Sequence, residues 1–481
     1  MGRASELSVI GLAIGPGGTP GTFRVEVVDS PAGQASTTVE LDVDSLLARR
    51  GQLQQAVLAS GVSSRRVLPE TERPLRETGQ VLFASLLGAG EVAARYRASA
   101  ALAAARGEGL RVVLRIDTPA LAGLPWEAMF DHGAGVYVCR QDQLVRHVPV
   151  ASVSVPLSVE RPLRILGVVS SPYGRPPLDV QKEKDHLARA LGNPVAAGLI
   201  ELHWAPGATW SDLQDLLLDD EWHVLHFVGH GDFDPDRDEG VLALVSEDGR
   251  ADLVSAHRLV DLLRQARPMP RLVVLNSCSG GAAGVRDLFS GTAAALVRGG
   301  VSAVAAMQYE ISDSAAVAFA RGFYAAISRG RDVDDAVSSG RVGILGLGDK
   351  TLEWVTPVLY LRGNENRLFT LPTRIGHRNL KGTEANESPE RENVTGPATA
   401  GRQADATVAN ALPNNPQATH SAAAGQRPSQ VRPDFSDPRS GSVLTLLRRP
   451  ESRLTEQDLV DLCSRGGTEG TEPEELCRAL A

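Results

Sequence analysis

The chain has 481 residues and a formal net charge of −9, with 49 Lys and Arg against 58 Asp and Glu. Nucleic-acid binders usually present basic surfaces, so this balance weighs against DNA, RNA and anionic membrane as main partners. Hydrophobic residues make up 42% of the chain but aromatics only 4%, so its core must rest on Val, Leu, Ile and Ala.

Phe23–Val27 and Thr37–Val43 largely alternate apolar and polar around Pro31, Gly33 and Gln34, the pattern of a β-hairpin. Helical periodicity follows at Leu46–Leu58 and Leu75–Arg97. From Leu110 onward strands and helices alternate. Leu163–Val169, Leu199–His203, His223–Val228, Leu272–Leu275, Val301–Ala306 and Val355–Tyr360 read as six strands, with Val241–Val245 a small extra one. Between them fall helices at Val180–Leu191, Trp210–Leu217, Thr292–Arg298, Ser312–Ser328 and Val333–Ile344. Another is capped by Ser255 and stopped by Pro268 and Pro270. Such alternation predicts an α/β fold, a mostly parallel sheet covered by helices on both faces. Functional groups on such sheets sit at the carboxyl ends of the strands.

Cys139, Cys278, Cys463 and Cys477 are too scattered for a disulfide framework. Met1–Val9 has no basic segment ahead of an apolar run, and no apolar stretch reaches about 18 residues. The expectation is a cytoplasmic protein with reduced thiols, neither led out of the cell nor held in a membrane.

Two strands end in residues that carry chemistry. One runs from His223 to Val228 and continues Gly229-His230-Gly231; the next runs from Leu272 to Leu275 and continues Asn276-Ser277-Cys278. His230 and Cys278 are thus expected at one sheet edge, where the imidazole can help form the thiolate that attacks. Gly231, without a side chain, can bring its N–H to a substrate carbonyl and form an oxyanion hole with the N–H of Cys278. His223 and His226 lie near His230, but residues three apart on a strand point to opposite faces, so both read as core residues and no metal site is expected. Gly343–Thr351 imitates a phosphate-binding loop, yet Asp349 separates Gly348 from Lys350 and the segment follows a helix. Nucleotide binding is therefore not expected, and no cofactor is required.

Several segments, in order, resemble the CHAT branch of caspase-like cysteine peptidases, relatives of separase. They are Leu124-Pro-Trp-Glu127, Phe227-Val-Gly-His-Gly231, Leu275-Asn-Ser-Cys-Ser-Gly280, Gly300-Val-Ser-Ala-Val304, Met307–Asp313 and Phe319–Tyr324. The resemblance implies a caspase-like three-layer α/β/α fold and a protein substrate. It implies peptide-bond hydrolysis with Cys278 as nucleophile and His230 as proton shuttle, in a regulated bacterial signalling or conflict pathway. It also implies an acidic pocket for a basic residue before the cut, with Asp313 as its main anion and Glu310 beside it. The alternative is that Asp313 merely caps the following helix. Some members of the branch act as scaffolds, so a non-catalytic module stays open as an alternative, and so does another thiol hydrolase. Trp126 reads as a packing residue, while Glu127 could help orient the site.

The expected organisation is a supporting region over 1–160, a catalytic core over 161–375, a disordered linker over 376–438 and a small helical module over 439–481. The linker is rich in Asn, Glu, Gly, Pro, Ala, Ser and Gln and lacks the apolar surface to fold. In the last segment Thr455 and Asp458 precede Leu459, Leu462 and Cys463, and Thr471 and Glu474 precede Leu476, Cys477 and Leu480. A module so short needs help to hold a core, so it is expected to dock on a partner protein.

Overall fold

The computed structural model describes residues 7–62, 69–116, 118–150, 155–234, 239–276, 290–348 and 351–371. All of them belong to one compact unit, Met1–Leu380. Cys278, the expected linker and the expected C-terminal module lie outside the described residues.

Three strands, β1 (Ser8–Pro16), β2 (Thr22–Asp29) and β3 (Ala35–Glu40), open the chain. Helices α1 (Val43–Ala48), α2 (Arg50–Val62), α3 (Pro69–Phe83) and α4 (Gly90–Arg106) follow. Then come β4 (Leu110–Ile116), β5 (Gln143–Val148), β6 (Leu163–Val169), α5 (Val180–Ala196), β7 (Ile200–Trp204), α6 (Trp210–Asp219) and β8 (Val224–Val228). A small antiparallel sheet of β9 (Gly231–Asp234), β10 (Glu239–Val245) and β11 (Ala251–Ser255) leads to α7 (Ala256–Leu263) and β12 (Leu272–Asn276). The unit is completed by α8 (Ser290–Gly299), β13 (Ala303–Met307), α9 (Asp313–Ile327), α10 (Val333–Leu345) and β14 (Pro357–Arg362).

Eleven strands form one sheet in the order β7-β6-β8-β12-β13-β14-β5-β4-β1-β2-β3. The first five run parallel, so their carboxyl ends share an edge. At β13 the direction reverses: β14 pairs antiparallel with it, and β14, β5, β4 and β1 are parallel among themselves. The sheet is continuous across residue 160, because β1 to β5 extend the same hydrogen-bonded array as the later strands.

Every residue of β8, β12 and β13 is buried, as continuous apolar strands covered on two faces must be. Side-chain alternation sends Val224, Val274 and Ala305 to one face, with Leu187 and Leu191 of α5 and Phe319 and Phe323 of α9. Leu225, Val273 and Val304 go to the other face, with Leu213 of α6, Leu259 of α7 and Leu296 of α8. The result is the expected three-layer α/β/α arrangement. Among the described residues no helix is long and apolar enough to cross a membrane.

The expected helix over Leu75–Arg97 is interrupted. A π turn over Ala84–Gly88 and a left-handed Gly90 (φ +81°) separate α3 from α4, redirecting the chain where a straight helix would run on. Helices α9 and α10 pack very closely because glycines line their contact. A Cβ on Gly322 would lie 2.3 Å from the Ser339 carbonyl oxygen, and one on Gly343 would lie 2.4 Å from that of Ala318. Gly343, part of the phosphate-loop imitation, thus serves helix packing inside α10.

Candidate active site

The register of the central strands places the site. Val228, the last residue of β8, pairs with Asn276, the last of β12, and the N–H of Gly229 donates to the Asn276 carbonyl at 3.2 Å. Along the sequence His230 follows Val228 by two residues, as Cys278 follows Asn276. Glycine suits position 229, because a Cβ there would press on the Phe227 ring at 2.6 Å and the Ser170 carbonyl oxygen at 3.2 Å. The backbone of His230 is then held from the small sheet, where the Ala243 N–H donates to its carbonyl at 3.0 Å. Ser170 locks the same strand by donating its hydroxyl to the Ala243 carbonyl at 2.6 Å. Gly231 begins β9 and pairs with Leu242.

The His230 ring is half-buried. Its Nδ1 is buried with no hydrogen-bond partner among the described residues. Burial, and then the positive charge of Arg175, hold its pKa below the ordinary imidazole value of 6.5. Arg175 is itself fixed by an ion pair with Asp232 at 2.9 Å. A neutral imidazole beside a guanidinium is a fitting environment for a thiolate, since the base is unprotonated and the field favours the anion. Asn276 ends the neighbouring strand with its side chain buried and its Oδ1 without a partner among the described residues. Sequence reasoning gave neither Arg175 nor Asn276 a role. Asn276 lies inside the family-like segment Leu275–Gly280, whereas nothing local marks Arg175.

His223 and His226 are core residues, as expected. His226 is fully enclosed between the sheet and α9, its Nδ1 2.7 Å from the Tyr324 hydroxyl, and burial pushes its pKa down to about 3. His223 accepts the Arg164 N–H at Nδ1 and is pushed down to about 4, burial being the larger cause. Cys139 is buried, donates its thiol to the Glu127 carbonyl at 3.0 Å, and is pushed up to about 11, which leaves it unreactive.

The two acidic residues expected to line a pocket lie at and just before the start of α9. The cap of α9 is Ser312, whose Oγ accepts the Ala315 N–H, so Asp313 is the first helical residue and not the cap. Its carboxylate pairs with Lys182 of α5 at 2.5 Å. Glu310 is half-buried, its N–H donates to Gln54 of α2 at 3.0 Å, and burial raises its pKa. Glu310 and Asp313 both lie in the segment after β13, next but one to the strand that carries His230. A narrow cleft runs from α5 and α9 down to the strand ends, with Val228, Asn276 and Met307 among its lining residues.

Trp126 packs fully buried, donating its indole N–H to the Leu121 carbonyl at 2.8 Å. Glu127 is also fully buried. Arg146 of β5 grips it through Nη2 at 2.5 Å and Nε at 3.2 Å, and Gln308, immediately after β13, donates to it at 3.2 Å. Gln308 also donates to the Val355 carbonyl at 2.8 Å. Glu127 thus fastens the first half of the chain to the end of β13, two strands from His230.

A family model described as the CHAT domain matches residues 73–361, more than half of the chain. No curated protein matches the sequence. Among solved structures, the Saccharomyces cerevisiae separase–securin complex at 2.6 Å is similar at 12% identity and a TM-score of 0.42, over 77% of this chain and 31% of that one. A second structure of that complex gives 11%, 0.39, 75% and 30%. An Arg-specific cysteine proteinase, gingipain R, gives 12%, 0.34, 67% and 76%. This chain therefore spans less than a third of the separase chains it matches. Together with the segments that run in family order from Leu124 to Tyr324, the match over 73–361 establishes that this chain belongs to the CHAT-domain family.

Proposed function

We propose that the chain is a cysteine endopeptidase of caspase-like type, with Cys278 as nucleophile and His230 as general base and then general acid. The observation that carries this reading is the Val228–Asn276 pairing, from which His230 and Cys278 each follow by two residues. His230, neutral near pH 7, takes the thiol proton as Cys278 attacks the scissile carbonyl, and the tetrahedral oxyanion is met by the N–H groups of Gly231 and Cys278. His230 then returns the proton to the leaving amine, leaving a thioester that water hydrolyses.

Cleavage after Arg or Lys, with Asp313 as the main pocket anion and Glu310 beside it, completes the proposal. The pairing of Asp313 with a lysine of its own chain supports the affinity of this carboxylate for a basic side chain. The substrate would be a protein in a regulated bacterial signalling or conflict pathway, acted on in the cytoplasm. Residues 439–481 would recruit a partner protein that holds the enzyme near its target. A peptide library with every residue in turn before the cut tests the specificity. Wild type should prefer Arg and Lys, and Asp313→Asn should lose most of that preference. A preference for Asp or apolar residues would overturn it.

A further inference from the structure

Glu183 and His186 stand one turn apart on α5, and Asp313 opens α9 beside them. One ligand atom from each, two carboxylate oxygens and an imidazole nitrogen, all lie within 4.8 Å of one another. Glu183 is only 8% exposed, and its carboxylate has no hydrogen-bond or ion-pair partner among the described residues. The His186 Nδ1 is buried and likewise without a partner there. A carboxylate on a residue this buried gains from a cation held against it. The adjacent cation, Lys182, pairs directly with Asp313 at 2.5 Å and reaches Glu183 only through its longer-range charge.

We propose that Glu183, His186 and Asp313 bind a first-row divalent cation, Zn²⁺ suiting their donors best, which clamps α5 to α9 at the rim of the cleft. One imidazole nitrogen and two carboxylate oxygens make a borderline donor set that zinc accepts with a fourth position open to water. Calcium would demand six to eight oxygens, which these residues do not supply. A Glu-x-x-His pair on one helix face is a spacing that metal sites between helices use. Ligands of a tetrahedral zinc ion stand about 3.3 Å apart, from bonds of about 2.0–2.1 Å, so the side chains need to close by roughly an ångström or more. Asp313 exchanges Lys182 for the metal as they do, so the metal-loaded state withdraws this carboxylate from the substrate pocket proposed above. Occupancy of the clamp is measurable without turnover.

Isothermal titration of Zn²⁺ into the full-length Cys278→Ala protein tests this, since the substitution removes the thiol expected to be most reactive. Adding His186→Ala should abolish one equivalent of binding or weaken it at least about tenfold, as loss of even an outer partner of a metal site does. Adding Lys182→Met instead should tighten that equivalent several-fold, because Asp313 is released from its ion pair. If His186→Ala binds Zn²⁺ as its parent does, the site does not exist. Should that variant fail to fold, Lys182→Met decides through its exposed side chain, and unchanged affinity there overturns the proposal.

Discussion

At the scale of single residues, the chemistry turns on the ionisation of His230. Its pKa is lowered by burial and by Arg175, so the neutral imidazole persists to lower pH than in a free histidine. The acidic limb of kcat/KM against pH is accordingly expected below 6.5, since a base must be unprotonated to accept the thiol proton. Arg175→Ala removes the repelling charge and should move that limb upward. A limb at or above the ordinary imidazole value in wild type, or one that Arg175→Ala leaves in place, would contradict this. His230 and the strand-end glycines were legible because strand, histidine and glycine are contiguous in sequence. Arg175 was not, because it reaches the histidine from a loop 55 positions earlier. Glu183 and His186 looked like any helical face until Asp313, far along the chain, was folded against them.

At the scale of elements, the knot of Glu127, Arg146 and Gln308 is the part that a sequence reading sees least. Gln143–Val148 carries Arg and His in its middle and does not look like a buried strand, yet β5 is buried from Leu144 to Val148. It can be so because Arg146 meets Glu127 and the carbonyls of Ala122 and Leu124. That pairing joins segments invisible to each other in a local window. Ser8–Pro16 was also missed; Gly11 and Gly15 break its apolar run, although it pairs with both β2 and β4. By contrast β6 was expected with the bounds it has, and β8, β12 and β13 within two residues, because strands buried on both faces are unbroken apolar runs. Removing one partner of a buried ion pair strands the other charge, at a cost of about 3–5 kcal/mol. Glu127→Ala should therefore lower the unfolding free energy by that order in urea titrations. A loss below about 1 kcal/mol would mean that the knot is not what secures β5 to β13.

At the scale of the whole molecule, the eleven-stranded sheet buries three histidines, His147, His223 and His226, each less than a tenth exposed. Burial is the main cause that pushes them down to about 4, about 4 and about 3. In the unfolded chain they titrate near 6.5. Their folded pKa values are depressed, so the unfolded state takes up protons first as the solution is acidified. Stability from these groups is complete above about pH 6.5 and falls as the pH drops toward 4. Well below 6.5, each contributes a slope of about 1.4 kcal/mol per pH unit. Unfolding free energies measured at pH 7, 6 and 5 should show this decline, and the double variant His226→Leu, Tyr324→Phe should flatten it by one proton. A double variant with the wild-type slope would contradict the burial assigned to His226.

The same sheet brings β8 and β12 side by side, and on that adjacency the peptidase reading rests. Hydrolysis of a peptide library by the full-length protein, compared with its Cys278→Ala variant under identical conditions, tests it most directly. The account predicts cleavage by wild type, none by Cys278→Ala, and a loss of at least about a hundredfold in His230→Ala. Cleavage by Cys278→Ala at the wild-type rate, or no cleavage by wild type, would contradict it.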